Sequence, residues 1–270
     1  MKSPRVSLAA LMVAQAQVTF NDNAAKFMLI ALAQFPGVLP DTDSNLIRGL
    51  LSALLIGPFI LFSPMAGWVV DRFPKSIVLN ASLGAQACIM VLLVAALWLQ
   101  SLWGAVACFV LLALQATVFA PAKRGVLREL VDASGLSRAV GVMEMMSVTA
   151  ILAGIFAGGK LFDFLVTRKI GQGLEETDAA WQGALLTAVV LAFFSVVSWL
   201  VFQLVARTKA RNPEPFRAAL FWRHGAQIME LWRDRPLLRA TFGIMFFYGI
   251  GGYLLVLLIQ MGASLHDDGG

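Results

Sequence analysis

Gln15-Ala16-Gln17-Val18-Thr19-Phe20-Asn21-Asp22-Asn23-Ala24-Ala25-Lys26 sets four side-chain amides, a carboxylate and an ammonium between two stretches suited to hydrocarbon, Leu8 to Ala14 and Phe27 to Ala33. As one helix the whole segment, 7–34, exceeds the ~20 residues that cross a bilayer core of about 30 Å. An ionised group at the centre of such a helix costs roughly 2.5–3.5 kcal/mol on insertion scales, so by default it marks a pathway or a binding site. Gln15, Thr19, Asp22 and Lys26 follow one another at intervals of 4, 3 and 4, which places them on one helix face. That face is turned to protein or water, not to lipid. A purely structural Asp22–Lys26 pair, four residues apart, is the simpler alternative. The short apolar run with Lys2 and Arg5 before it imitates a signal peptide. The apolar character resumes beyond the polar cluster, however, so the helix is expected to be retained.

Composition carries the membrane reading to the whole chain. Of 270 residues 59% are apolar and 14% charged, against about 25% charged in soluble domains, and the mean hydropathy is +0.78. The basic pI of about 9.6 does not point to nucleic acid, because the basic residues are distributed by topology. Lys2 and Arg5, then Arg72 and Lys75, then Lys123, Arg124, Arg128 and Arg138, then the run from Arg207 to Arg239 fall in alternate connections. Only Arg48, Lys160, Arg168 and Lys169 fall in the other set. An excess of this kind marks the cytoplasmic side and puts the N-terminus there. Cys88 and Cys108 lie inside apolar spans and are expected as buried thiols, not a disulfide.

Seven spans follow, near 7–34, 46–70, 77–99, 102–121, 139–166, 184–206 and 239–262, with Ala122–Arg138 expected as an inner loop and Thr167–Gly183 as an outer one. The expected organisation is a six-helix bundle over 1–206, a basic cytoplasmic linker over 207–238, and the first helix of a second, incomplete bundle over 239–270. The linker places Phe216, Leu220, Ile228, Leu231 and Trp232 at helical spacing, as an amphipathic helix on an anionic leaflet or as a solvated tether.

Three motifs narrow the class. Gly67-Trp68-Val69-Val70-Asp71-Arg72-Phe73-Pro74-Lys75-Ser76 resembles the G-x-x-x-D-R-x-G-R-[KR] loop between helices two and three of the major facilitator superfamily. Gly67, Asp71 and Arg72 match, Lys75 stands for an arginine, and Pro74 and Ser76 depart. Thr19 to Phe27 is similar to the F-N-D-N-x-x-K-F signature of bacterial lysophospholipid transporters, a family that includes forms fused to an acyltransferase and an acyl-carrier-protein synthetase. Pro121-Ala122-Lys123-Arg124-Gly125-Val126-Leu127-Arg128-Glu129-Leu130 resembles their P-A-K-Y-G-I-L-P-E-L segment, with Arg124 and Arg128 replacing Tyr and Pro. Gly141-Val142-Met143-Glu144-Met145 continues the likeness.

The resemblance implies an all-α integral membrane protein with the major facilitator fold, interrupted after helix seven. It also implies a secondary transporter of the bacterial inner membrane that moves lysophospholipid, or another amphiphilic small molecule, by alternating access. Membrane lipids are its expected partners, with a fused or separate acyltransferase, and no nucleic acid and no cofactor. Gln17, Asn21, Asp22, Asn23 and Lys26 are expected to contact substrate or coupling ion. Gly67, Asp71, Arg72 and Lys75 are expected to form a cytoplasmic gate loop, with Gly67 permitting close helix approach, and Lys123, Arg124 and Glu144 to exchange partners during alternation. Gly154 and Gly158, at G-x-x-x-G spacing, suit close helix packing. No Walker loop, nucleophile elbow or paired Cys/His metal spacing occurs in the sequence, so neither catalysis nor a metal site is expected. A proton-coupled drug or metabolite exporter of the same superfamily, the membrane part of a fused phospholipid acyltransferase, and an inactive remnant are the alternatives. Since sites in these folds lie between two six-helix halves, the 270 residues alone are not expected to transport.

Overall fold

The computed structural model describes residues 3–39, 41–206 and 232–267. Seven helices account for the regular structure among them: α1 (Pro4–Ala33), α2 (Asp41–Arg72), α3 (Lys75–Trp98), α4 (Leu102–Leu130), α5 (Ala133–Ile170), α6 (Glu176–Phe202) and α7 (Arg235–Asp267). By length and composition α3, α4, α5 and α6 are apolar enough to cross a membrane, whereas the amides and charges of 15–26 interrupt the apolar run of α1. The chain divides into two compact units, Met1–Pro215 and Phe216–Gly270. The expected amphipathic linker helix lies outside the described residues except for its end at Trp232. In the second unit α7 starts in a regular way: the Asp234 carboxylate accepts a hydrogen bond from Leu237 N at 3.2 Å, and Pro236 sits in the first turn, where no backbone donor is needed.

The helices run past the charges that were read as loops. α4 continues through Lys123, Arg124 and Arg128 to Leu130, so the inner connection is only Val131-Asp132 and not Ala122–Arg138. α5 holds Arg168 and Lys169 in its last turn and α6 starts at Glu176, which shortens the outer connection to 171–175. Charge marks where a span leaves hydrocarbon, while the backbone hydrogen bonds of a helix continue into water at no cost. The turn between α3 and α4 is as tight as expected. Gln100 adopts φ +52°, and Ser101 caps α4 by accepting from Gly104 N at 3.2 Å.

Within the first unit α1 is central, packing on α5, α6, α4 and α2, while α3 packs on α4 and α6. Its interior is layered. One apolar cluster gathers Met28, Leu29 and Leu32 of α1 with Met90, Leu93, Phe109, Phe162 and Leu191. A second gathers Leu11 and Met12 with Leu79, Leu83, Phe119, Val126, Met143 and Phe202. Between them every inner helix presents polar groups: Gln15 and Asn21, Ser82 and Gln86, Gln115 and Thr117, Ser147, then Ser195 and Ser198, all buried. Polar side chains flanked on both sides by apolar ones, at the same depth in five helices, form a polar stratum across the middle of the bundle.

Candidate functional site

Hydrogen bonds sort this stratum into glue and unpaired groups. Gln115 of α4 donates to Ser82 Oγ at 2.8 Å and Ser82 O at 3.1 Å, tying α4 to α3. Gln15 of α1 donates to Ser147 Oγ of α5 at 2.8 Å and to Thr19 Oγ1 at 3.0 Å. Asn21 donates to Leu191 O at 2.9 Å and Ser195 Oγ at 2.6 Å of α6. Gln17, at 3.4 Å from Ser195 Oγ, lies toward the same helix. Asn23 donates to Thr19 O of its own helix at 2.9 Å. Three of the five residues expected around a ligand therefore spend their donors within the bundle. Gln17 leaves α1 about 140° round from Asp22, given 100° per residue. It borders instead an apolar groove of about 560 Å³ lined by Phe20, Met145, Met146, Ala153 and Phe194.

Asp22 is different. Its Oδ1 is buried with no hydrogen-bond partner among the described residues. The Gln86 amide of α3 lies against the carboxylate, at a geometry too loose for a well-formed hydrogen bond. Buried polar groups are nearly always paired, so the loosely paired Asp22 and Gln86 leave capacity for a further polar group. The charged neighbour of Asp22 is Lys123 of α4, which is also within electrostatic reach of Arg124 and of Glu144 on α5. Acid, base and acid thus line up across α1, α4 and α5. The expected alternative, an Asp22–Lys26 pair, does not form. Lys26 is half-buried, extends over the Phe27 ring at 5.7 Å from the centroid, and has no ion-pair partner among the described residues.

At the end of the bundle where α2 passes into α3, Asp71 and Arg72 are exposed, and Arg72 lies over the Trp68 ring at 5.3 Å. Lys75 is buried and forms an ion pair with Glu129 of α4. Its stem crosses Gly125, where a Cβ would overlap the Lys75 Cδ. The glycine that matters for close approach is therefore Gly125. No described atom lies within 4 Å of where a Cβ of Gly67 would sit, so the expected packing role of Gly67 is not needed in this unit. Gly154 and Gly158 face the α1 backbone: a Cβ at Gly154 would meet Phe20 O at 2.5 Å, and one at Gly158 would meet Ala24 Cα at 2.7 Å. Cys108 is buried but Cys88 is exposed on the outer face of α3, and neither is bonded.

Gln86 and Glu129 were not singled out in the sequence. Gln86 had a signal, an amide in the middle of an otherwise apolar helix. Glu129 had one in its place at the acid of the segment Pro121 to Leu130.

A family model of the Major Facilitator Superfamily matches residues 11–269. Similar curated proteins include the lysophospholipid transporters LplT of Salmonella typhimurium and Salmonella newport, each 30% identical over 96% of this chain and 59% of the relative. The chain thus spans about three-fifths of the length of these relatives. Among solved structures, a bacterial homologue of the human lysosomal transporter Spinster, crystallised inward-facing and unoccupied, superposes with a TM-score of 0.56 over 79% of this chain and 45% of its own, at 16% identity, a likeness of fold alone. With the family model covering nearly the whole sequence, the chain belongs to the Major Facilitator Superfamily.

Proposed function

We propose that this chain supplies the first half of a secondary transporter that moves lysophospholipid across the bacterial inner membrane by alternating access, its N-terminus in the cytoplasm. The observation that carries the site is the buried Asp22 carboxylate beside Gln86 and Lys123, with its Oδ1 lacking a hydrogen-bond partner among the described residues. A zwitterionic headgroup offers what this geometry lacks. Its ammonium meets Asp22 and the Gln86 oxygen. Its phosphate meets Lys26, one turn along α1 and itself without an acid partner among the described residues. Lys123, between Asp22 and Glu144, is drawn to Asp22 when the site is empty and to Glu144 when the headgroup cation takes its place, so occupancy reaches α5. The Lys75–Glu129 pair holds α3 to α4 at the gate end during that exchange. The similarity to relatives named lysophospholipid transporters supports the substrate, and an acyltransferase, fused or separate, is the enzyme class that would consume the product.

The same Asp22–Lys123 arrangement favours one second reading, a proton-coupled exporter in which Asp22 carries the proton. Proteoliposomes of the complete protein separate the two. The lipid reading expects accumulation of labelled lysophosphatidylethanolamine that unlabelled lysolipid suppresses, with or without a pH jump. Movement of an amphiphilic cation driven only by the pH jump, with no lysolipid uptake, contradicts it.

A further inference from the structure

A second cavity, of about 400 Å³, opens at the end of the first unit where α1 and α5 begin. It is lined by Arg5, Leu8, Ala9 and Met12 of α1, Val131 before α5, and Gly135, Arg138, Ala139 and Val142 of α5. None of the site residues around Asp22 takes part in it. Both arginines are exposed, and neither forms an ion pair among the described residues. Asp132, the acid nearest in sequence, is not among the lining residues. Two guanidiniums, one in the first turn of α1 and one in the second turn of α5, line the cavity with Leu8, Met12, Ala139 and Val142. On the same two helices Val6, Val13 and Val140 are exposed apolar side chains.

We propose that this cavity binds the headgroup of an anionic phospholipid resident in the leaflet on the arginine-rich side of the membrane, separate from the site at Asp22. The charge matches: two planar guanidiniums can each grip a phosphate through paired hydrogen bonds, and basic pockets between helices at the membrane surface recognise anionic headgroups. The wall decides between a lipid and a free anion. A hydrated phosphate gains nothing from Leu8, Met12 and Val142, whereas the glycerol and first methylenes of a lipid bury them. A lipid held there joins the starts of α1 and α5, the helices whose backbones meet at Gly154 and Gly158, and so stabilises the bundle.

The test uses the purified chain in nanodiscs of phosphatidylcholine, with or without phosphatidylglycerol, and a third sample of phosphatidylcholine with inorganic phosphate added. Melting temperature is the readout, each variant compared with its own phosphatidylcholine baseline. Phosphatidylglycerol is expected to raise Tm and phosphate to leave it unchanged. The rise is expected to be lost in the Arg5→Gln/Arg138→Gln double variant and in Ala9→Trp, which fills the cavity with both charges in place. No rise in the unmodified chain, or an undiminished rise in both variants, overturns the proposal. A rise matched by phosphate overturns the lipid assignment in favour of a free anion.

Discussion

At 100° per residue, Asn21 and Asp22 leave α1 in directions that meet different helices: the Asn21 amide is donated to α6 at 2.6 and 2.9 Å, while the Asp22 carboxylate lies against Gln86 of α3 and within electrostatic reach of Lys123 of α4. This difference separates a packing residue from a site residue, and thermal stability reads it out. Asn21→Leu is expected to cost about 1 kcal/mol, since Ser195 keeps its own bond to Leu191 O and shape is roughly preserved. Asn21→Asp sets a buried charge against a carbonyl oxygen and is expected to cost about 3–5 kcal/mol, lowering Tm far more than the leucine. Asp22→Asn, in contrast, removes a desolvated charge that the Gln86 amide and the Lys123 ammonium offset only in part, so Tm in detergent is expected to hold or rise. A marked fall in the Tm of Asp22→Asn would mean that Asp22 is structural. At this scale the sequence was legible only in part. The period of the helix puts Gln15 and Asp22 on one face, but a period does not say which neighbouring helix a face meets. Asn21 and Gln17 belong to α6, and only the packed bundle shows it.

Among elements, α1 and α5 approach each other through glycines, and α3 and α4 through a lysine laid over a glycine. Gly158→Val pushes side-chain atoms into the Ala24 backbone and is expected to cost about 1–3 kcal/mol by overpacking. Gly159→Ala, where no described atom lies within 4 Å, is expected to leave Tm within experimental error. Equal losses at the two positions would show that the α1–α5 contact is not as close as described. Lys75 and Glu129 are expected to couple by about 1 kcal/mol in a double-mutant cycle, the range for a partly exposed pair, and the coupling to shrink in Gly125→Ala, which displaces the lysine stem. The order and number of helices were readable from hydropathy alone, because hydrocarbon imposes a length. Their ends were not, since Lys123 and Arg124 mark the edge of the apolar zone while α4 runs on to Leu130.

For the whole molecule, the polar stratum between two apolar clusters gives the superfamily reading a physical form: amides, hydroxyls and a carboxylate gathered inside an otherwise apolar bundle. Orientation is testable by cysteine labelling in a background without Cys88 and Cys108. A cysteine at Asp132, in the inner connection, is expected to react only from the cytoplasmic side, and one at Gln172 only from the opposite side, since the excess of Lys and Arg lies with the former. The 270 residues alone are expected not to accumulate lysolipid, because binding sites in this fold are shared by two bundles. The most direct test is uptake of labelled lysophosphatidylethanolamine into proteoliposomes by the complete protein carrying Asp22→Asn. Uptake reduced to background, at unchanged Tm and reconstituted amount, is the predicted result. Uptake equal to that of the unmodified protein would contradict the placement of Asp22 on the transport path.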